Sequence, residues 1–189
     1  MNKILWMPID IPKFPLPDLD INPKDDWGAW SFFRLTDNED FNPYDISKLK
    51  SSVDEKLVEW FKEFPYTSIR NIKFNIQKEA VKPHIDFTNP SKDLALYTNN
   101  QNAEPCGYRI LIRGSRNNKL YVVHENKKIY VTMPEDTDVY VLGHTSTIHG
   151  VDDEPGRTTL FTHFEIDIKK HNSIIERSLF KYKNYAVIV

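Results

Sequence analysis

A chain of 189 residues, 40% hydrophobic and 28% charged, is large enough for one globular domain with a buried core and a cleft. Its formal charge of -2, pI near 6.3 and lack of any block of like charge weigh against a general nucleic-acid binder or a binder of anionic lipid. The single cysteine, Cys106, excludes an intrachain disulfide and a Cys-rich zinc site.

No apolar run of about 18 residues reads as a membrane span, and Met1–Pro12 lacks the apolar region of a signal peptide. A cytoplasmic setting is therefore expected. Pro8, Pro12, Pro15, Pro17 and Pro23 fix φ and remove donors, so residues 1–26 are expected to be an extended arm laid over the domain, neither helix nor central strand. Residues 27–189 are then read as a single domain with a C-terminal helical tail.

Residues 45–64 carry the clearest helical signal. Asp45 or Ser47 caps it, Leu49, Val53, Leu57, Trp60, Phe61 and Phe64 recur at helical spacing, and Pro65 ends it. Beyond it the pattern turns to short β-branched or aromatic runs at Ile69–Ile76, Val81–Phe87, Tyr108–Arg113, Leu120–Val123, Ile129–Thr132, Val139–Leu142 and Thr158–Ile168. Turn chemistry such as RGSRNNK, HENKK and PEDTD separates them. Many short strands at this spacing predict a mainly β sandwich or barrel of the jelly-roll type. A second helix is expected from Asn172 to about Tyr182, and a terminal strand at Ala186–Val189.

The segment KPHIDF places His84 and Asp86 two residues apart at the end of a strand, where the period of two turns both to one face. Two imidazoles and a carboxylate on one face of an octahedron hold non-haem iron(II) and leave positions open. The third ligand is expected from His149. The DDEPG stretch reads as a hairpin turn centred on Asp153. His149 and Arg157, each four residues from that centre, would then oppose each other on one sheet face. A guanidinium beside the metal suits the distal carboxylate of a chelating keto-acid, which its planar fork grips through two parallel bonds.

The other histidines fit less well. His163 lies roughly 20 Å along an extended strand from Arg157. His144 has the wrong parity, His124 sits in a polar turn, and His171 opens the second helix, as a cap or in solvent.

PHIDF followed by PEDTDVYVLGHTSTIHGVDDEPGRTTLF resembles the 2-oxoglutarate- and iron(II)-dependent dioxygenases over about residues 68–168, most of all their aspartyl/asparaginyl and prolyl hydroxylase-type branch. The resemblance implies a distorted double-stranded β-helix, cupin-like, with one or two supporting helices. It implies His84, Asp86 and His149 as iron ligands and Arg157 on the C5 carboxylate of 2-oxoglutarate. In GYRILIRG, Arg109 corresponds to an arginine near the co-substrate, with Arg113 as the alternative. Leu111 stands where that motif tends to carry histidine, and the presence of Asp86 argues against a halogenase.

Thr159 shares the face of Arg157 and is a further co-substrate contact. Residues 88–107 form a candidate lid whose one large aromatic, Tyr97, would bind substrate or co-substrate. The implied cofactors are Fe(II), 2-oxoglutarate as co-substrate and ascorbate as a reductant. The implied reaction is hydroxylation of an unactivated C–H bond of a protein, peptide or amino-acid side chain, or of a small molecule. Arg109, Arg113 and Arg116 either give the cleft mouth a preference for acidic substrates or pair with Asp136, Asp138 and the DDE turn. Two other readings stand beside this one: a cupin-like zinc or manganese enzyme, and a non-catalytic jelly-roll binding module.

Overall fold

The computed structural model describes residues 4–21, 25–34, 55–86, 108–142 and 147–189. Twelve strands form two antiparallel sheets among these residues. They are β1 (Ile4–Pro8), β2 (Asp25–Trp27), β3 (Trp30–Arg34), β4 (Tyr66–Gln77), β5 (Val81–His84), β6 (Tyr108–Arg113), β7 (Asn117–His124), β8 (Lys127–Thr132), β9 (Val139–Leu142), β10 (His149–Val151), β11 (Thr158–Ile166) and β12 (Val187–Ile188). The large sheet runs β12-β1-β9-β6-β11-β4-β3-β2 and the small one β5-β10-β7-β8.

From β4 onward the chain alternates between sheets. β4, β6, β9 and β11 lie in the large sheet; β5, the β7–β8 hairpin and β10 lie in the small one. That alternation is the double-stranded β-helix, and the mainly β, jelly-roll expectation holds.

Side chains of period two feed two cores. Leu111, Tyr140 and Leu142 of the large sheet meet Val81, Val122 and Val151 of the small one between the sheets. The intervening Tyr108, Ile110, Val139 and Val141 point the other way. There they pack with helix α1 (Glu55–Phe61), helix α2 (Ile168–Tyr182) and the segment after β1.

Of the helix expected over 45–64, residues 55–61 are helical, with Leu57, Trp60 and Phe61 buried; residues 45–54 lie outside the described residues. Helix α2 starts four residues earlier than Asn172, because the Asp167 carboxylate accepts from the amides of Lys169 and Lys170 and caps it there. Among the described residues no helix is long and apolar enough to cross a membrane.

The arm needs correcting. Ile4–Pro8 is an inner strand of the large sheet, between β12 and β9, with Pro8 as its last residue, where the missing donor is tolerated. The stretch after it does lie over the domain. Ile9, Ile11 and Phe14 are buried, Trp60 Nε1 donates to Pro12 O at 2.8 Å, and the Phe14 amide donates to Asp138 Oδ2 at 2.9 Å. Strands β2 and β3 were not among the expected runs; they are short, and a turn with Gly28 at φ +55° joins them.

Candidate metal centre

His149 pairs with His84 across β10 and β5, while Val151 pairs with Val81. Two steps on β10 therefore match three on β5, which places a bulge at Lys82–Pro83. Without the extra residue, His84 would face away from Val81. With it, both histidines join Val81 and Val151 on the side facing the large sheet. Strand β5 ends at His84, and Asp86 follows in a bend, so the carboxylate reaches the site from beyond the strand.

One ligand atom from each of His84, Asp86 and His149 lies within 4.8 Å of the other two. His149 Nε2 is 3.5 Å and His84 Nε2 3.6 Å from the same oxygen, Asp86 Oδ1. The two rings lie 4.5 Å apart. Each Nδ1 contacts the backbone carbonyl two residues earlier, Lys82 O at 2.9 Å and Thr147 O at 3.0 Å. A carbonyl only accepts, so both Nδ1 atoms carry the hydrogen, and the Nε2 atoms that face Asp86 are the positions left to bind a metal. Orienting bonds of this kind are what metal-bound imidazoles need.

His149 is buried, Asp86 half-buried and His84 exposed, so the cluster opens on one side. Burial raises the Asp86 carboxyl, but the Arg109 charge and the two imidazoles outweigh it and hold the group well below the usual carboxylate range. The His149 imidazole is pushed down by burial, while the bond to Asp86 pushes His84 up. An ionised carboxylate between two convergent imidazoles suits a divalent ion, and iron(II) and zinc both take this donor set.

Among the described residues, Arg109 is the cation that touches this cluster. Its Nη2 donates to Asp86 Oδ2, its Nη1 is buried without a hydrogen-bond partner, and its guanidinium lies 4.9 Å from the Phe161 ring centroid. Arg113 does not share that face. An irregularity between Thr158 and Thr159 pairs Arg113 with Thr158, and its guanidinium donates to Leu19 O on the arm side. Arg116 pairs with Asp138 at 2.8 Å, and Asp136 with Lys181 at 2.9 Å.

The hairpin about Asp153 does not form. β10 pairs only with β5 and β7, β11 only with β4 and β6, and the chain crosses between sheets at the DDEPG turn. His149 and Arg157 are therefore not cross-strand neighbours. Arg157 is 2% exposed, and its Nη1 donates to Ser115 O at 2.9 Å and meets Glu154 Oε2 at 3.3 Å. Its Nε is buried without a partner. Gly114 makes room for it: φ is +122°, and an added Cβ would lie 2.9 Å from Arg157 Cγ.

Thr159 is buried, alternating with Leu160 of the outer core, and so faces the small sheet. Tyr97, His144 and the lid at 88–107 lie outside the described residues, as does the side chain of His163. His124 sits at the β7–β8 turn beside Glu125. His171 is within α2 rather than at its cap, 2.9 Å from Tyr108 Oη, and burial pushes it down to about 4. Residue-by-residue reading missed Phe161, whose ring packs against Arg109, although the period of two from Thr159 pointed to it.

No family model matches the chain, and no curated protein does. Among solved structures, an oxidoreductase of the 2OG-Fe(II) oxygenase family from Burkholderia pseudomallei is similar over 82% of this chain and 72% of that one. The identity is 14% and the TM-score 0.39, a likeness that leaves the chemistry to be read from the residues themselves.

Proposed function

We propose that the chain is a non-haem iron(II)- and 2-oxoglutarate-dependent oxygenase that hydroxylates an unactivated C–H bond. One observation carries this reading: two imidazole Nε2 atoms converge on a single oxygen of Asp86, each with its Nδ1 already committed to a carbonyl. His84, Asp86 and His149 would hold the iron. With 2-oxoglutarate, iron(II) supplies oxygen activation coupled to oxidative decarboxylation, giving succinate and carbon dioxide.

The protein's own residues do the rest. Arg109 holds the second oxygen of Asp86 and leaves the first for the metal. Arg157 and Thr159 are the candidates for the distal carboxylate of 2-oxoglutarate; for Arg157 that means exchanging Glu154, a carboxylate already seated on it, for the carboxylate of the co-substrate. The apolar layer between the sheets keeps water from the buried side of the cluster. Ascorbate would restore enzyme oxidised without substrate.

Anaerobic titration with iron(II) and 2-oxoglutarate tests the reading. The expected result is a weak metal-to-ligand visible band in the wild type and its loss in His149→Ala. No band, or one unchanged in that variant, refutes it.

A further inference from the structure

Glu154, Pro155, Gly156 and Arg157 form a tight turn. Proline presets φ at its second position, Gly156 supplies φ +87° at its third, and the Arg157 amide donates to Glu154 O at 3.0 Å across it. The turn sets the Glu154 and Arg157 side chains beside each other. Strand β4 fixes its far end, where the Gln77 amide donates to Arg157 O at 2.8 Å. Local sequence thus binds a carboxylate to the one guanidinium that is 2% exposed.

Glu154 divides its carboxylate unequally. Oε1 accepts from the Ser115 amide and from the Ser115 hydroxyl, each at 2.6 Å, whereas Oε2 meets Arg157 Nη1 at 3.3 Å. Charge-assisted bonds to a cation run about 2.7–2.9 Å, so Ser115 is the close partner and Arg157 the loose one. Arg157 Nη1 is shared with Ser115 O, and Nε is buried without a hydrogen-bond partner. Glu154 therefore gives the guanidinium a counter-charge without the two-bonded grip that its planar fork can make. Burial raises the Glu154 carboxyl, but the Ser115 donors and the Arg157 charge outweigh it and hold the group below its ordinary value. A second carboxylate arriving at Arg157 meets an anion already there.

We propose that Glu154 is a built-in competitor for the distal carboxylate of the keto-acid co-substrate, and that it sets the affinity and selectivity of that site. This rests on the oxygenase reading above and adds its control. An acid held at both ends, by the metal and by the fork of Arg157, outbids the single long contact of Glu154, which keeps its bonds to Ser115. An anion held at one end alone does not. Succinate carries the distal carboxylate but has lost the keto group, so Glu154 regains Arg157 and speeds its departure. The same contact keeps a buried cation from standing without a counter-charge between turnovers.

The test compares wild type with Glu154→Gln, whose amide oxygen still accepts from Ser115 but carries no charge. The full chain with iron(II) is titrated without oxygen, once with 2-oxoglutarate and once with pyruvate, which has no distal carboxylate. Glu154→Gln is expected to reach its half-maximal visible band at about tenfold less 2-oxoglutarate, with pyruvate within about twofold of wild type. Succinate, measured by its displacement of 2-oxoglutarate, is expected to tighten as well. The inference fails if the variant needs as much 2-oxoglutarate as wild type or more, which would make Glu154 a support for Arg157, or if pyruvate gains equally. Glu154→Ala decides the matter if the glutamine variant does not fold: tighter 2-oxoglutarate supports the inference and weaker overturns it. Failure of the oxygenase reading is distinct, since it appears as a missing band in the wild type before any variant is compared.

Discussion

At the residue scale the metal cluster was legible, but the route to it was not. His84 and Asp86 stand out in the sequence because they share one short segment, and His149 because it lies as far before Asp153 as Arg157 lies after it, although no hairpin forms there. What actually aligns His84 is an extra residue at Lys82–Pro83, which strict alternation along a strand cannot anticipate. Arg109 was expected near the co-substrate and is found holding Asp86. Arg109→Gln should therefore weaken cobalt(II) binding by about 10- to 100-fold, read from the d–d bands of the protein without co-substrate, with Arg109→Lys intermediate.

His171 gives a pH dependence of opposite origin. Its folded value of about 4 lies below the ordinary 6.5, so the folded state stays neutral where the unfolded chain takes up a proton. Stability is fully present above pH 6.5 and is lost as pH falls toward 4. Melting temperature should drop across that window in the wild type and less steeply in His171→Gln.

At the element scale, β-branched runs and turn chemistry identified β4 to β9 and β11 in outline, while β10 was implied only as one arm of the hairpin about Asp153. Partner choice was hidden, because a local turn at DDEPG looks the same whether the next strand folds back on its neighbour or crosses to the other sheet. The decision lies in distant pairings, β11 with β4 and β6 and β10 with β5 and β7. β1 was obscured by the prolines that follow it. β10 is also closely packed at Gly150. A Cβ on Gly150 would lie 2.3 Å from Tyr121 Oη and 2.7 Å from Val81 O. Gly150→Ala should therefore force β10 away from β5, lowering stability by about 1–3 kcal/mol in denaturant titration and weakening cobalt(II) binding as His149 moves with the strand.

At the scale of the whole molecule, two cores share one large sheet: an apolar one under the helices and the segment after β1, and one between the sheets that the metal cluster borders. Composition and charge announced a globular domain but could not announce the contacts of Arg109 with Asp86 and Phe161, since their members come from three separated segments. Glu154, Arg157 and Ser115 tie the β6–β7 turn to the β10–β11 turn in the same long-range way. Replacing Arg157 with Gln should raise the 2-oxoglutarate concentration needed for half-maximal visible band by about tenfold or more, with iron(II) affinity nearly unchanged.

The place of β1 has a consequence for the order of assembly. Its two neighbours are β9, over a hundred residues onward, and β12, near the other end of the chain, and β12 has no other partner in the sheet. Pairings of such sequence separation form slowly, since long loops must close before any contact rewards them. The two histidine-bearing strands are joined by a shorter closure. During refolding, amide protection at His149 should therefore precede protection at Trp6, and a metal-competent barrel should exist for a time with the margin of its large sheet still unzipped.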